Sequence, residues 1–345
     1  MRRSTVLAMD TTGILDEALE RLHVSGPERM GRLTNHAPMA VEALAARGQA
    51  RSVHRWLDLY THKLEEFPAG VERVTAADWA TALGDPRRAA DWIDYFQREV
   101  TERPWREVLA EWWPRLLPGM YGGSAHPVIR VGHAVRTLLV SGEDTGPRVD
   151  ELAHGLGYWA ARHRPVEGVA PLPGADSAVG ALDAVTPIAE QDGSFPARLD
   201  RVTGLPVWAA DVSDPDEAHR RLTELVRAAT HRYATHAHGE PTMLVHAATA
   251  PNAVLRTLPA LPRELWVPSM RAAWTASAAV TAMYAPGAPA AYVPPGTLTP
   301  DEVFERALAH GDEHVIKLTD TALDVGDEQA IAAALRAIEL SDPLV

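Results

Sequence analysis

Four histidines and one lysine stand where their chemistry is hard to ignore. His314 and Lys317 lie three apart in Asp312-Glu313-His314-Val315-Ile316-Lys317, on one face of a helix and among apolar neighbours. A lysine amine in apolar surroundings is pushed toward its neutral form. A neutral amine adds CO2, and the resulting carbamate is an anionic oxygen ligand. The bland reading keeps Lys317 at the surface, paired with Asp312, Glu313 or Asp320.

His126 opens a second stretch, His126-Pro-Val-Ile-Arg130-Val-Gly-His133. Pro127 suits the first turn of a helix. His126 and His133, seven apart, share a face with Arg130 nearby. His246 sits in Met243-Leu-Val-His246-Ala-Ala-Thr249 with no acid close in sequence, and His36 begins an apolar stretch at Asn35-His36-Ala-Pro-Met39. Singly, each reads as a satisfied core or capping histidine. Four in apolar contexts on four separate helices point together to a metal held by imidazoles. Iron, zinc and manganese all suit nitrogen and oxygen donors. The chain of 345 residues has 15 histidines and no cysteine. Disulfides, iron–sulfur clusters, thiolate catalysis and cysteine-ligated zinc are thereby excluded.

Other constellations are missing. The sequence has no G-x-G-x-x-G, no G-x-x-x-x-G-K-[ST], no G-x-S-x-G and no H-E-x-x-H. Glu151-Leu-Ala-His154 is a lone E-x-x-H where a di-iron bundle needs two. The formal charge is 33 − 46 = −13, which repels nucleic-acid backbones and disfavours attachment to anionic membranes. No window is long and apolar enough for a spanning helix. The apolar run after Arg2 and Arg3 is too short for a signal peptide, so a cytoplasmic location is expected. Nothing in the sequence speaks to the oligomeric state.

These residues need elements to hold them. Helical periodicity predicts helices over Asp10–Leu22 (capped by Thr11 or Thr12), His36–Arg47, Ser52–Glu66, Thr75–Leu83, Ala89–Thr101, Trp105–Leu117, Pro127–Leu139 and Val149–Arg162. It resumes at Asp214–His236, Thr242–Leu258, Pro268–Tyr284, Pro300–His310, Glu313–Val325 and Asp327–Leu340. The stretch 164–212 is rich in Pro, Gly and Asp and reads as a long irregular connection with hairpin pieces near Pro206–Trp208. The expectation is an all-α globular fold, one domain over 1–345, with lobes 1–163 and 213–345 joined by that connection. Trp79, Trp92, Tyr95, Trp105, Trp112 and Trp113 read as core, or as a flat wall for a polycyclic ligand. His23, His54, His62, His163, His219 and His231 read as solvated.

The order of short motifs resembles the questin oxidase-like family. They are N-H-x-P-M (Asn35–Met39), W-x-x-x-Y (Trp56–Tyr60), H-P-x-I-R-x-x-H-A-V-R (His126–Arg136), L-x-Y-W-A-A-R (Leu156–Arg162), L-V-H-A-A-T-A-P (Leu244–Pro251) and D-E-H-V-I-K (Asp312–Lys317). The resemblance implies an oxygenase acting on an aromatic polyketide, an anthraquinone or related polycycle. The reaction it implies is ring opening or Baeyer–Villiger-type oxygen insertion with O2. It further implies Fe(II) held by His36, His126, His246 and His314, with Lys317 carboxylated. Fungal members tend to carry histidine where Arg130 stands and a tyrosine near His133. That departure leaves open which of His126 and His133 is the ligand, and frees Arg130 to bind a phenolate or carboxylate. Arg130 or His133 would then be the proton partner or oxyanion holder. A reductant such as NADPH has no motif to receive it. Two rival readings are a metal-free cyclase or oxygenase, and a non-catalytic shell that sequesters an aromatic metabolite.

Overall fold

Helical periodicity over most of the chain becomes helix in space: the protein is 67% helical and 4% strand, an all-α fold. The structure is a computed structural model describing residues 4–30, 33–142 and 144–344. The sequence reading that turned on Arg2 and Arg3 lies outside the described residues, as do Gly31 and Arg32 of the polar break after the first helix. No described helix is long and apolar enough to cross a membrane.

The first half holds α1 (Ser4–His23), α2 (Ala37–Ala46), α3 (Val53–Tyr60), α4 (Trp79–Ala82), α5 (Ala89–Glu102), α6 (Trp105–Leu116), α7 (His126–Ser141) and α8 (Gly146–Arg162). Two short helices follow, α9 (Ala178–Asp183) and α10 (Phe195–Leu199). The second half holds α11 (Pro215–His236), α12 (Pro241–Leu244), α13 (His246–Thr257), α14 (Trp266–Tyr284), α15 (Pro300–His310), α16 (Glu313–Val325) and α17 (Glu328–Leu340). An antiparallel pair of two-residue strands, β1 (Glu28–Arg29) and β2 (Leu33–Thr34), leads into α2.

Three expectations need correction. α1 starts at Ser4, so Thr11 and Thr12 lie within the helix rather than at its start. The Thr75–Leu83 stretch is helical only over Trp79–Ala82. Asp78 Oδ1 accepts from the backbone N–H of Thr75 (2.8 Å) and closes a turn there instead. Residues 164–212 contain no hairpin near Pro206. β4 (Gly204–Pro206) pairs in parallel with β3 (Ala170–Leu172). Strands of three residues are too short to show a period, and Pro171 and Pro206 disguise them.

α7 is the central element and packs against α2, α8 and α13. Its contact with α13 is backbone-close: a Cβ at Gly132 would stand 2.6 Å from Ala253 Cβ. Only glycine permits that approach. α13 in turn carries an internal proline, Pro251, which cannot donate to the carbonyl of Ala247 four residues earlier. Ser277 Oγ of α14 donates to that carbonyl instead (2.7 Å). One large apolar cluster draws on both halves of the chain, from Met39 and Trp92 to Val254 and Ala337. A second joins α1, α2 and α3 to Phe304 and Ile316. The tryptophans resolve as core: Trp92, Tyr95, Phe96 and Trp112 pack on one another mostly edge to face.

Candidate metal centre

The four apolar-context histidines fall at the starts of four helices. His36 is the residue before α2, His126 begins α7, His246 begins α13 and His314 is second in α16, with Lys317 one turn on. Their rings converge. Centroid separations are 4.4 Å for His36–His126, 4.5 Å for His36–His314, 4.3 Å for His126–His246 and 5.7 Å for His246–His314. None is more than 7% exposed. One nitrogen from each of His36, His126 and His314 lies within 4.8 Å of the other two.

Local backbone sets two of the rings. Gly123, Ser124 and Ala125 run left-handed, with φ of 57°, 58° and 62°. Two non-glycine residues in that region are strained. The run delivers the Gly123 carbonyl to His126, whose Nδ1 donates to it at 2.6 Å. His246 Nδ1 donates likewise to the Met243 carbonyl at 2.8 Å. A carbonyl only accepts, so both rings carry their proton on Nδ1. Both Nε2 atoms are then bare, and they face each other at 2.8 Å. Burial first, then neighbouring histidines and Lys317, holds His36, His126 and His246 well below the usual imidazole range. They are neutral, as metal ligands must be.

Lys317 is 1% exposed, and its Nζ lies 3.0 Å from His36 Nδ1. The surface-pairing reading fails because its three acids are taken. Glu313 binds Arg29 (2.6 Å) and Lys63 (3.3 Å). Asp312 caps α16, accepting from the N–H groups of His314 and Val315. Asp320 receives three arginines. Burial pushes the Lys317 ammonium down to about 7, against the pull of Glu313 and Asp312.

The donor set fits a divalent transition metal. Two bare Nε2 atoms at 2.8 Å repel unless a cation lies between them. Two ligand bonds of about 2.1 Å at right angles put their nitrogens about 3 Å apart. Backbone carbonyls fix the tautomer of two rings, the usual outer-shell support of a metal-bound histidine. Four imidazoles with an amine or its carbamate suit iron, manganese or zinc.

Arg130 and His133 are placed elsewhere. Arg130 forms a fork on Glu151 (2.6 and 2.7 Å). His133 Nδ1 is 2.6 Å from Glu42 Oε2. Neither makes ring contact with the cluster. His126, one face with His133 but two turns away, is the one that joins His36, His246 and His314. His23 is not solvated: it is part-buried, stacked on His154 at 4.4 Å and bonded to Glu151 (3.0 Å). His154, left open by the sequence, is buried there too.

Sequence reading passes over several buried groups around the centre. Tyr60 is fully buried and its hydroxyl accepts from the His36 N–H (3.3 Å). Glu42 is a lone acid in the apolar run Ala37–Ala46, and that isolation is a signal of a buried ion pair. Asp320, offered by the sequence as a surface partner of Lys317, is instead wholly buried.

Residues 33–138 match the questin oxidase-like family, as the motif order suggested. The matched part includes His36 and His126. The match implies an oxidoreductase, and the family suggests an oxygenase of aromatic polyketides. No curated protein matches the chain.

Proposed function

We propose that the chain is a non-haem iron-dependent oxygenase of an aromatic polyketide, an anthraquinone or related polycycle. The reaction would be oxidative C–C ring cleavage or Baeyer–Villiger-type insertion. Iron would be held by His36, His126, His246 and His314, with Lys317 as a carbamate. The observation that carries this reading is the pair of bare Nε2 atoms of His126 and His246 at 2.8 Å, with the His36 and His314 rings beside them.

Bound Fe(II) would supply the one-electron chemistry that ground-state dioxygen needs to react with a closed-shell ring. The protein's own groups do the rest. The Gly123 and Met243 carbonyls hold two Nε2 atoms inward. Burial excludes water from the reacting point. The Lys317 amine would take up CO2, forming an N–C bond and releasing one proton, which leaves one negative charge beside the imidazoles. Arg130 and His133, clamped by Glu151 and Glu42, would act on the substrate only after leaving those partners.

The direct test is metal content of protein made in iron-supplemented medium, with anomalous scattering at the four rings. About one iron per chain is expected. Protein with no iron or manganese that still turned over in chelator would sink the reading. Lys317→Ala should lose metal and activity together.

A further inference from the structure

Beneath the histidines lies a second polar layer, built on the same four helices. Glu42 is six residues past His36, His133 seven past His126, Asn252 six past His246 and Asp320 six past His314. At about 1.5 Å per helical residue, each stands roughly 9–10 Å along its helix from the ligand. Arginines at the end of α2, in α7 and in α13 tie Glu42, Asp320 and Asp324 together, and His133 joins through Glu42 and Asn252 through Asp324. Arg136 bridges Glu42 (2.8 Å) and Asp320 (3.0 Å). Arg47 donates to the Asp320 carboxylate and to its carbonyl, both at 2.7 Å. Arg256 reaches Asp320 (2.8 Å) and Asp324 (2.9 Å). Asn252 donates to Asp324 (3.0 Å). Asp320 itself is wholly buried.

Stability alone is a poor account of this layer. Buried ion pairs return little net free energy over a well-packed apolar core. Apolar packing is also non-directional, so helices can slide over one another at small cost. Forked hydrogen bonds between guanidinium and carboxylate are directional and fix register. The layer ties α2, α7, α13 and α16 to one another at one depth, and those are the helices whose first turns bring the rings together.

We propose that this ionic layer is a positioning frame for the histidine centre. Asp320, with Arg47, Arg136 and Arg256, sets the spread of the four helix starts, and so the affinity and geometry with which a divalent transition metal is held. The inference rests on the metal-centre reading above. These are positioning residues, acting through the helices and not on substrate.

The test uses full-length protein and Co(II), whose visible spectrum reports ligand geometry. Dissociation constants come from competition with a chelating dye, and thermal midpoints are measured on the same samples. Arg256→Lys keeps the charge but loses the fork. It is expected to weaken Co(II) binding about 10–100-fold, as outer-shell changes do, and to shift the visible bands. Asp320→Asn should do more where it folds, and Arg256→Lys carries the test where it does not. Val108→Ala, a core change in α6 remote from the layer, should lower the midpoint and leave affinity and spectrum alone. Arg256→Lys with wild-type affinity and spectrum overturns the frame and leaves the metal reading standing. Wild-type protein that binds no divalent metal overturns both.

Discussion

The Nε2 atoms of His126 and His246 face each other at 2.8 Å, each ring having spent its only proton on a carbonyl of its own segment. Such an arrangement is unfavourable in a metal-free protein and favourable around a cation. Under the proposed function, metal binding and the stability of the metal-free fold are set against each other at this pair.

The first prediction follows from that opposition. His246→Leu removes one of the two opposed lone pairs at similar volume. In excess chelator the variant should be more stable than wild type, by on the order of 1 kcal/mol. With Fe(II) or Co(II) present the order should reverse, because wild type gains more binding free energy, about 2.7 kcal/mol at 100 times its dissociation constant, than a variant left with three of the rings. Thermal melts with and without metal read both. A variant several degrees less stable than wild type in chelator would contradict the opposed-lone-pair account.

Gly132 offers a packing test. An alanine there would press on Ala253 at 2.6 Å, forcing α7 and α13 apart. Overpacking of this kind costs about 1–3 kcal/mol. Since these helices start with His126 and His246, metal affinity should fall as well. Urea titration and metal competition measure the two effects separately.

Ala125 should respond in the opposite sense. Its φ of 62° suits glycine, so Ala125→Gly relieves strain and should stabilise the fold by up to about 1 kcal/mol. A β-branched Ala125→Val should destabilise by more than that. Equal denaturation midpoints for all three proteins would remove the strain from the account of His126 placement.

Acid sensitivity is predicted at Glu151. Burial raises its carboxyl, but Arg130 and His23 outweigh burial and hold it at about 2, below its ordinary 4.5. The folded carboxyl therefore binds its proton less readily than the unfolded one. Its contribution is complete above pH 4.5 and disappears as pH falls toward 2. The span corresponds to roughly 3 kcal/mol. Glu151→Gln should be less stable than wild type at pH 7, with the gap narrowed to less than half by pH 3. A constant gap across that range would show that the charge pair is not the source.

Much of the architecture could be read before any coordinates, and the reason is physical. Period-3.6 patterning marks long amphipathic helices such as α11 and α16. His36, His126, His246 and His314 were legible because imidazoles in apolar stretches need a partner. What stayed hidden is what pairs at a distance. Glu42 and His133 are 91 positions apart and Asp320 and Arg136 are 184, and no local pattern encodes which acid meets which base. Arg130 illustrates this: its sequence neighbours suggest a free cation by the histidines, and only the fold reveals Glu151 across from it.

His36 and Lys317 are in contact across 281 positions of sequence. A chain emerging from the ribosome therefore holds no complete centre until α16 is made, and docking of the two ends is the step that closes it. Any metal held by the complete set of side chains would be taken up late in biogenesis, after α16 has docked on α2.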